Sequence, residues 1–342
     1  MDPVSHGIIG RAVVAASGRR LQGRGVGAAA ILGALSPDID FVLMPIGWDI
    51  YLRAHVAGTH SIAGAVVTGL GSAGLVRLCV RNSALPPLCG AALISALTHL
   101  AGDIVSGARL QPAWPLVERT VSLPLVAMAD PWTIAIVLAG GCAMWLQRQH
   151  LARGARLAVA ALALFLMVKA ALLAATLSTL DRHTGDSSPG DGTERVIEAR
   201  WASVTEWFVF DRRGSQLRQR LISLLPTAAG STPGHQGPGQ GDHEPKLILT
   251  IDVPDEGELT RASKSLSSVR NFLAVHHLVF PVERTASDGS RSVLWSDIRF
   301  CWRTDAGPSP SCALWFGGVF DGGGRPLLQT VRVGSWNQRR AP

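Results

Sequence analysis

The feature that most constrains this chain is a series of long apolar segments within its first 180 residues. Six segments can be distinguished, approximately over residues 4–17, 25–45, 61–80, 87–105, 121–146 and 155–180. A transmembrane helix needs about 20 apolar residues, and the last four segments reach or approach that length. The second is long enough but contains Asp38 and Asp40, and the first is short. The sequence therefore predicts a mainly α-helical polytopic membrane domain of five or six helices.

Composition agrees with a membrane part joined to a soluble part. The chain is 47% hydrophobic and 17% charged, whereas soluble domains carry about 25% charged residues. Polarity becomes ordinary after residue 180. We therefore expect a membrane domain over 1–180, a linker over 181–192 and a small soluble α+β domain over 193–342. The low-complexity stretch 226–245 is expected to be a flexible insert in the soluble domain.

The soluble half shows alternating patterns typical of strands. They cover residues 195–213, 246–254, 276–284, 292–304 and 311–321. Helical spacing of apolar residues predicts a helix within 256–276.

The last two patterned stretches would form a hairpin around residues 305–310, which places Cys301 opposite Cys312. An extracytoplasmic location would permit a disulfide between them; two free thiols are the alternative.

Arginine is distributed unevenly between the loops that join the apolar segments. Three alternate loops are the richer in arginine: Arg19, Arg20 and Arg24; Arg77 and Arg81; Arg148, Arg153 and Arg156. Because cytoplasmic loops carry the excess of positive charge, this bias predicts that the N-terminus and the soluble domain are extracytoplasmic. The formal net charge is +7. The sequence shows no basic stripe with interleaved aromatic residues, so we expect no nucleic-acid partner.

Seven ionisable residues lie within or beside the apolar segments. They are His6, Asp38, Asp40, His60, His99, Asp103 and Asp130. A charge in lipid costs at least about 2.5–3.5 kcal/mol, and a single buried histidine is usually only a packed core residue. In the topology that the arginines indicate, all seven lie towards the outer face of the membrane. This convergence favours a shared site over seven unrelated core residues.

The local spacing within this set suits a metal ion. His99 and Asp103 are four residues apart and face one side of a helix. Ser36–Pro37 is expected to break or restart a helix, because proline is tolerated only in a first turn, so that Asp38 and Asp40 can converge. Imidazole and carboxylate ligands suit Zn²⁺, Mn²⁺ or iron, with Zn or Mn preferred here. Two adjacent metals, or one metal with further acids around it, are both compatible with the set.

The ordered motifs resemble a known family. His6, "SPDID", "HVAGTHS", "HLAGD" and "PAWP" are similar to motifs of the LexA-regulated, inner-membrane, metal-dependent hydrolase family (YdjM-like), over residues 2–131. The resemblance implies a bacterial inner-membrane protein with a metal-dependent hydrolase site. It adds His55 to the site residues, although Val56 and Ala57 stand here where the family usually has Arg-Gly.

Two functions compete at this point. In the first, a hydrolase, the metal ligands are His6, Asp38, Asp40, His60, His99 and Asp103. Asp38 and His99 are the residues expected to be essential for catalysis, His55 and Asp130 support the ligands, and a lipid or phosphoester is the expected substrate. In the second, the same residues bind or transport an ion without catalysis. Polar residues clustered at one end of the spans favour a site over a conduit.

Two features of the soluble half are expected to be structural. His276 and His277 precede a strand and are predicted to be a surface or sheet-edge pair. Asp297 and Arg299 are predicted to form a salt bridge or cap.

Overall fold

The computed structural model describes residues 1–184, 194–225, 245–303 and 310–342. These residues form two compact units. The first contains residues 1–41, 54–175 and 198–205, and the second contains 42–53, 176–197 and 206–342. Most of the predicted linker 181–192, the predicted insert 226–245 and the predicted turn 305–310 lies outside the described residues.

The first unit is helical. The α-helices of the described residues up to 184 are α1 (Pro3–Ala16), α2 (Val26–Leu35), α3 (Trp48–Arg53), α4 (Ile62–Cys79), α5 (Leu85–Val105), α6 (Pro131–Leu146) and α7 (Leu151–Thr184). Helix α3 and the end of α7 belong to the second unit. Four stretches are long and apolar enough to cross a membrane: Val26–Leu43, Ile62–Cys79, Leu85–Val105 and Arg148–Arg182. The predicted helical membrane part is confirmed.

One predicted apolar helix is shorter than expected. Of residues 121–146, only those from Pro131 onward are helical. Proline has no N–H to donate and blocks the turn before it, so Pro131 serves as the first residue of a helix. Upstream, Val121 and Pro124 form isolated bridges with Leu110 and Ser106.

The last helix is longer than expected and continues into the predicted linker. At a rise of about 1.5 Å per residue, 34 residues extend about 50 Å, well beyond the ~30 Å of a bilayer core.

Lys169 lies on this helix, and its charge is not left in lipid. The side chain is only 1% exposed, and Nζ donates to the carbonyl oxygens of Ser203 at 3.2 Å and Val204 at 2.9 Å. The same segment makes a further hydrogen bond, because Trp201 Nε1 donates to the Ala129 carbonyl at 2.8 Å. The lysine ammonium is therefore hydrogen-bonded to backbone carbonyls of residues 198–205, a segment that belongs to the first unit.

Small residues allow helices α1, α2 and α5 to approach closely, as in many membrane helix pairs. A Cβ atom at Gly33 would lie 2.5 Å from the carbonyl oxygen of Ala92. A Cβ atom at Gly10 would lie 2.6 Å from that of Ala34. The backbones of α2 and α5 thus touch along a stripe where no side chain fits, which brings the C-terminal ends of both helices together.

This packing predicts opposite effects for the same substitution at two glycines. Gly33→Ala should lower the free energy of unfolding by about 1–3 kcal/mol, because the added methyl overlaps backbone atoms. Gly71→Ala is the matched control: nothing lies within 4 Å of its added Cβ, and it should be neutral or gain up to about 1 kcal/mol from helix propensity. Unfolding in detergent measures both, and equal shifts in the two variants would contradict the close packing.

The second unit is sheet-rich. Its strands are β1 (Arg195–Ala199), β2 (Glu206–Arg213), β3 (Gln216–Ser223), β4 (Lys246–Asp252), β5 (Val279–Thr285), β6 (Arg291–Asp297), β7 (Cys301–Trp302), β8 (Ser311–Cys312), β9 (Leu314–Phe320), β10 (Pro326–Val333) and β11 (Trp336–Arg340). They form sheets in the orders β1-β2-β3-β4, β11-β10-β9-β6-β5 and β7-β8. The predicted strands are present, whereas β3, β10 and β11 are strands that the sequence patterns do not predict.

Three layers enclose two apolar cores. Residues of the four-stranded sheet, such as Phe210 and Leu217, share one core with Phe280 and Trp315 of the five-stranded sheet. The other face of the five-stranded sheet is covered by helices α8 (Glu258–Ser263) and α9 (Ser267–Leu273). The predicted helix in 256–276 is split because Leu266 adopts an extended backbone, which lets its side chain pack against Gly318. The predicted α+β class is confirmed.

The segment 42–53 belongs to the second unit, although it lies within the predicted membrane domain. Its Asp49 is fully buried and accepts a hydrogen bond from Asn271 Nδ2 at 3.0 Å. The same carboxylate forms an ion pair with Arg340 on β11, and the rings of Trp48 and Trp336 lie 6.3 Å apart. A polar bridge and an aromatic contact thus attach this segment to the sheet and to α9.

Cys301 and Cys312 are direct partners across β7 and β8 and form a disulfide. The predicted opposition of the two cysteines is confirmed, and the disulfide is the alternative that the structure contains. Cys79, Cys89 and Cys142 are free.

A thiol count tests this arrangement. Unfolded protein kept under non-reducing conditions should expose three reactive thiols, and reduction should raise the number to five, the total in the sequence. A Cys312→Ser variant should show four thiols before reduction. Five thiols in the unreduced wild-type protein would contradict the disulfide.

Candidate metal centre

Ionisable side chains from α1, from the start of α4, from α5 and from the segment after α2 lie at one end of the first unit. His6 lies near the start of α1, His60 directly precedes α4, and His99 and Asp103 lie near the end of α5. Because these helices alternate in direction, the N-terminal ends of α1 and α4 meet the C-terminal ends of α2 and α5. The alternation of the chain therefore gathers residues that are far apart in the sequence.

The chain after α2 places the two opening aspartates. The α-helix ends at Leu35 and continues as a 3-10 helix over Ser36–Leu43, as the Ser36–Pro37 pair predicted. Asp40 is 2% exposed, and the side chain of Asp38 is 14% exposed. The tighter helical turn brings both carboxylates towards the same histidine, His60.

The connection into α4 is equally specific. Ala54–Thr59 forms a π-helical turn, a feature that is frequent at functional sites, and it carries His55. The Ser61 hydroxyl then accepts from the Gly64 N–H at 3.0 Å and caps α4. His60, between the turn and the cap, is fully buried.

Backbone contacts fix which nitrogen of His99 carries its proton. His99 Nδ1 lies 2.6 Å from the carbonyl oxygen of Ala34, which can only accept, so Nδ1 is the donor and Nε2 keeps a lone pair. His60 Nδ1 lies 3.1 Å from Thr59 Oγ1, whose own proton goes to Asp40 Oδ2 at 2.5 Å. His60 Nε2 therefore also presents a lone pair, and it faces His99 Nε2 at 3.0 Å.

Two carboxylate oxygens complete a four-atom set around these nitrogens. Asp103 Oδ2 lies 3.3 Å from His60 Nε2 and 3.1 Å from His99 Nε2. Asp38 Oδ1 lies 3.5 Å and 3.6 Å from the same two atoms. Ligand atoms about 2.0–2.2 Å from a tetrahedral zinc are separated from one another by about 3.4 Å. The five separations lie close to that spacing. Asp38, His60 and His99 bring their ligand atoms within 4.8 Å of one another and could hold a metal ion, with Asp103 beside the same two nitrogens.

The remaining residues surround this set. His6 Nε2 lies 3.1 Å from Asp103 Oδ1, which the Met1 amine also contacts, and the ring of His6 stacks on His99 at 3.7 Å. On the other side, His55 Nδ1 lies 3.1 Å from Asp40 Oδ2. Two further groups, His6–His99–Asp103 and Asp40–His55–His60, each bring their ligand atoms within 4.8 Å of one another.

The cluster carries more negative charge than its own side chains offset. Three buried or half-buried carboxylates converge on histidines, and Asp40 Oδ1 has no hydrogen-bond partner in the part of the chain that the structure describes. Burial would lower the pKa of His60, but the carboxylates of Asp103, Asp38 and Asp40 outweigh it and raise that pKa to about 10, so that a proton takes up the Nε2 lone pair of His60 when no metal is bound there. Such a site attracts a cation, either a proton or a metal.

The comparison with protein families covers this half of the chain. The family model described as YdjM inner membrane protein matches residues 1–176. The chain belongs to the YdjM inner membrane protein family. The match agrees with the resemblance found in the sequence, includes every residue of the cluster and supports an inner-membrane location. No curated protein and no solved structure matches the chain. Regulation by LexA stays a prediction.

Asp130 lies apart from these contacts. It is the N-cap of α6, and its Oδ2 accepts from the N–H and the hydroxyl of Thr133, both at 2.8 Å. Among the described residues, no histidine of the cluster hydrogen-bonds to it. The sequence contains the signal for this arrangement, because aspartate followed by proline at the first helical position is a typical helix start.

A second polar group lies in the sheet-rich unit. His276 is 7% exposed, so its prediction as a surface residue was wrong, whereas the side chain of His277 is 41% exposed. Arg299 Nη2 donates to His276 Nδ1 at 2.9 Å and pairs with Asp297 at 2.7 Å. The Asp297 carboxylate also accepts from the Arg299 N–H. The predicted salt bridge and cap are both confirmed.

The burial of His276 predicts a pH dependence of stability. Burial lowers the pKa of His276, more than the nearby Asp297 raises it. Below about pH 6.5 the unfolded histidine is protonated while the folded one stays neutral. The unfolded state then binds more protons, so stability should fall by up to about 1.4 kcal/mol per pH unit as the pH drops.

Unfolding midpoints between pH 7.5 and 5.5 measure this effect. The slope should flatten in His276→Gln and stay unchanged in the exposed control His277→Gln. An identical slope in the wild type and in His276→Gln would contradict the assignment.

Proposed function

We propose that this protein is a membrane-bound metal-dependent hydrolase. The observation that carries the proposal is the convergence of one oxygen each of Asp38 and Asp103 on the Nε2 atoms of His60 and His99. These nitrogens lie 3.0 Å apart and 3.1–3.6 Å from the two oxygens, at one end of a helical membrane unit. Asp38, His60, His99 and Asp103 would hold the metal, and zinc or manganese suits this mixed donor set. A bound metal of this kind lowers the pKa of a coordinated water towards about 7.

The surrounding residues orient and protect this set. Asp40 holds His55 through its Oδ2 and, with Thr59, holds the ring of His60. Carboxylates that fix ligand imidazoles in this way raise ligand basicity and select the tautomer. Stacking of His6 on His99 closes the opposite side.

His55 is the best placed group to move a proton. Its side chain is 20% exposed, the most open among the histidines paired with these aspartates, and Asp40 orients its Nδ1. Nε2 would take the proton of the attacking water and return it to the leaving oxygen, as a general base and then a general acid. The water oxygen forms the new bond to phosphorus while the bond from phosphorus to the leaving oxygen breaks.

The rim of the site favours a substrate at the membrane surface. Ile39 and Phe41 alternate with the two aspartates, and these side chains are 59% and 42% exposed. Polar groups thus point into the cluster while apolar groups point out. A phosphoester of a lipid fits this combination, and its headgroup would reach the site from the extracytoplasmic side that the arginine distribution predicts.

Ion transport remains the competing hypothesis. It would require polar side chains at several depths, whereas the buried lysine of α7 is satisfied by backbone carbonyls. Metal flux into vesicles containing the purified protein tests it: uptake faster than in protein-free vesicles would favour transport.

Metal content tests the ligand set directly. Detergent-purified protein should contain about one divalent metal ion per chain by elemental analysis. His99→Ala and Asp38→Ala should lose it, since each removes one of four ligands, and Asp40→Asn should weaken binding by about 10–100-fold. His150→Ala, which changes an exposed histidine outside the cluster, should retain the metal. Equal metal content in all four variants would refute the site.

Turnover separates the metal ligands from the proton carrier. Hydrolysis of lipid and soluble phosphoesters with added Zn²⁺ or Mn²⁺ should be lost in His99→Ala together with the metal. His55→Gln should reduce the rate by about 10²–10⁴-fold while metal content stays at the wild-type level. Loss of metal in His55→Gln would instead place a metal in the Asp40–His55–His60 group, and unchanged turnover in His99→Ala would end the hydrolase proposal.

A further inference from the structure

A groove on the membrane-embedded unit combines apolar walls with two arginines. Its volume is about 610 Å³, and its walls come from α1, α2, α6 and the start of α7. Val4, Ile8 and Ile31 line it on one side and Trp145 on the other, while Arg11 and Arg148 also line it. Val4 is 63% exposed and Trp145 is 69% exposed, so the walls face the surroundings of the helices, which in a membrane are lipid.

Arg11 is the unusual member of this lining. It lies within the apolar helix α1 and is half-buried, and a Cβ atom at Gly27 would lie only 3.0 Å from its Nε. Among the described residues, no acidic side chain pairs with it and no carbonyl accepts from it. Arg148 likewise has no ion pair within the described part of the chain. A guanidinium at membrane depth is costly without an anionic partner.

The two arginines lie at the end of the unit opposite to the metal cluster. Arg11 lies one and a half turns after His6 on α1, near the N-terminal end of α2. Arg148 follows the C-terminal end of α6, where Met144 packs with Ala12 of α1. The groove extends about 10 Å along α1 from Val4 to Arg11. The apolar part of the groove thus lies towards the metal cluster. The basic part lies towards the side that the arginine distribution predicts to be cytoplasmic.

We propose that this groove binds an anionic phospholipid of the cytoplasmic leaflet. One acyl chain would lie along Val4, Ile8 and Ile31, and the phosphate would pair with Arg11 and Arg148. Guanidinium groups bind phosphate oxygens through paired, charge-assisted hydrogen bonds. Basic pockets between transmembrane helices on the cytoplasmic side are typical sites for anionic headgroups. This lipid is a bound component and not the substrate, because the cluster lies at the other end.

Lipid retention by the full-length protein tests the proposal. Protein in detergent is incubated with equal amounts of dioleoyl-phosphatidylglycerol and dioleoyl-phosphatidylcholine, and the lipid bound per chain is counted by native mass spectrometry. Phosphatidylglycerol should be retained at least about tenfold more strongly, and it should raise the thermal unfolding midpoint. Equal retention of the two lipids would overturn the proposal, because they share the same acyl chains and differ in the headgroup, which is anionic in phosphatidylglycerol and zwitterionic in phosphatidylcholine.

Three arginine variants locate the headgroup. Arg11→Gln and Arg148→Gln should each reduce retention of phosphatidylglycerol by about tenfold. Arg153→Gln removes the same charge from an exposed position on the same predicted membrane face but outside the groove lining, and it should retain the lipid as the wild type does. If all three variants lose the lipid equally, general surface charge is responsible and the groove is not the site.

Two features keep this test independent of folding and of the hydrolase proposal. Arg148 is exposed, so Arg148→Gln remains informative if Arg11→Gln fails to fold. Metal content should be unchanged in both variants, whereas His99→Ala should lose metal and keep the lipid. Unchanged lipid retention in Arg148→Gln together with a folded Arg11→Gln that also retains lipid would refute the site.

Discussion

The arrangement at the end of the helical unit depends on one short hydrogen bond between helices. His99 of α5 donates from Nδ1 to the carbonyl of Ala34 in the last turn of α2 at 2.6 Å. Pro37 has no N–H, so it cannot donate to that carbonyl across the 3-10 turn that follows α2. The contact needs backbones as close as Gly33 and Ala92 allow. The orientation of the His99 imidazole therefore depends both on where α2 ends and on the close packing of α2 against α5.

Charge explains which groups surround this oriented imidazole. Its free nitrogen faces the free nitrogen of His60 at 3.0 Å, a separation at which two lone pairs repel unless a cation lies between or beside them. Asp38 and Asp103 bring negative charge to the same point. Each of these groups is unfavourable in a membrane by itself, whereas together they could hold a metal ion. Geometry and electrostatics therefore lead to the same interpretation.

Much of the site could be predicted because the penalty for polar residues in apolar helices is large and local. The spacing of His99 and Asp103, and the helix break at Ser36–Pro37, need no tertiary information. His55 was different: it lies between apolar segments, where a histidine is unremarkable, and only the family resemblance indicated it. The position of Asp130 before a proline indicates a helix cap, which the structure contains, whereas its support of a ligand imidazole stays a prediction.

The fold of the second unit shows the same limit. Strands with clear alternation were recognised, but the arginines and glutamines of β3 resemble a surface helix, and only pairing with β2 and β4 makes them a strand. Leu266 interrupts a helical pattern because a glycine on the facing sheet receives its side chain. The burial of His276 depends on Phe272 one turn earlier, whose ring lies 4.3 Å away, and on a distant carboxylate. Such contacts join residues whose proximity no local pattern indicates.

The attachment of residues 42–53 to the sheet has a consequence for dissecting this protein. A fragment ending near residue 180 would keep every side chain of the metal centre, yet it would lose Asn271, Arg340 and Trp336, to which Asp49 and Trp48 are fastened. The stretch between Asp40 and His55 would then become an unanchored connector with a buried carboxylate newly exposed. Truncation at the apparent domain border would therefore loosen the chain between two residues of the candidate metal centre, even though the cut is made more than a hundred residues downstream.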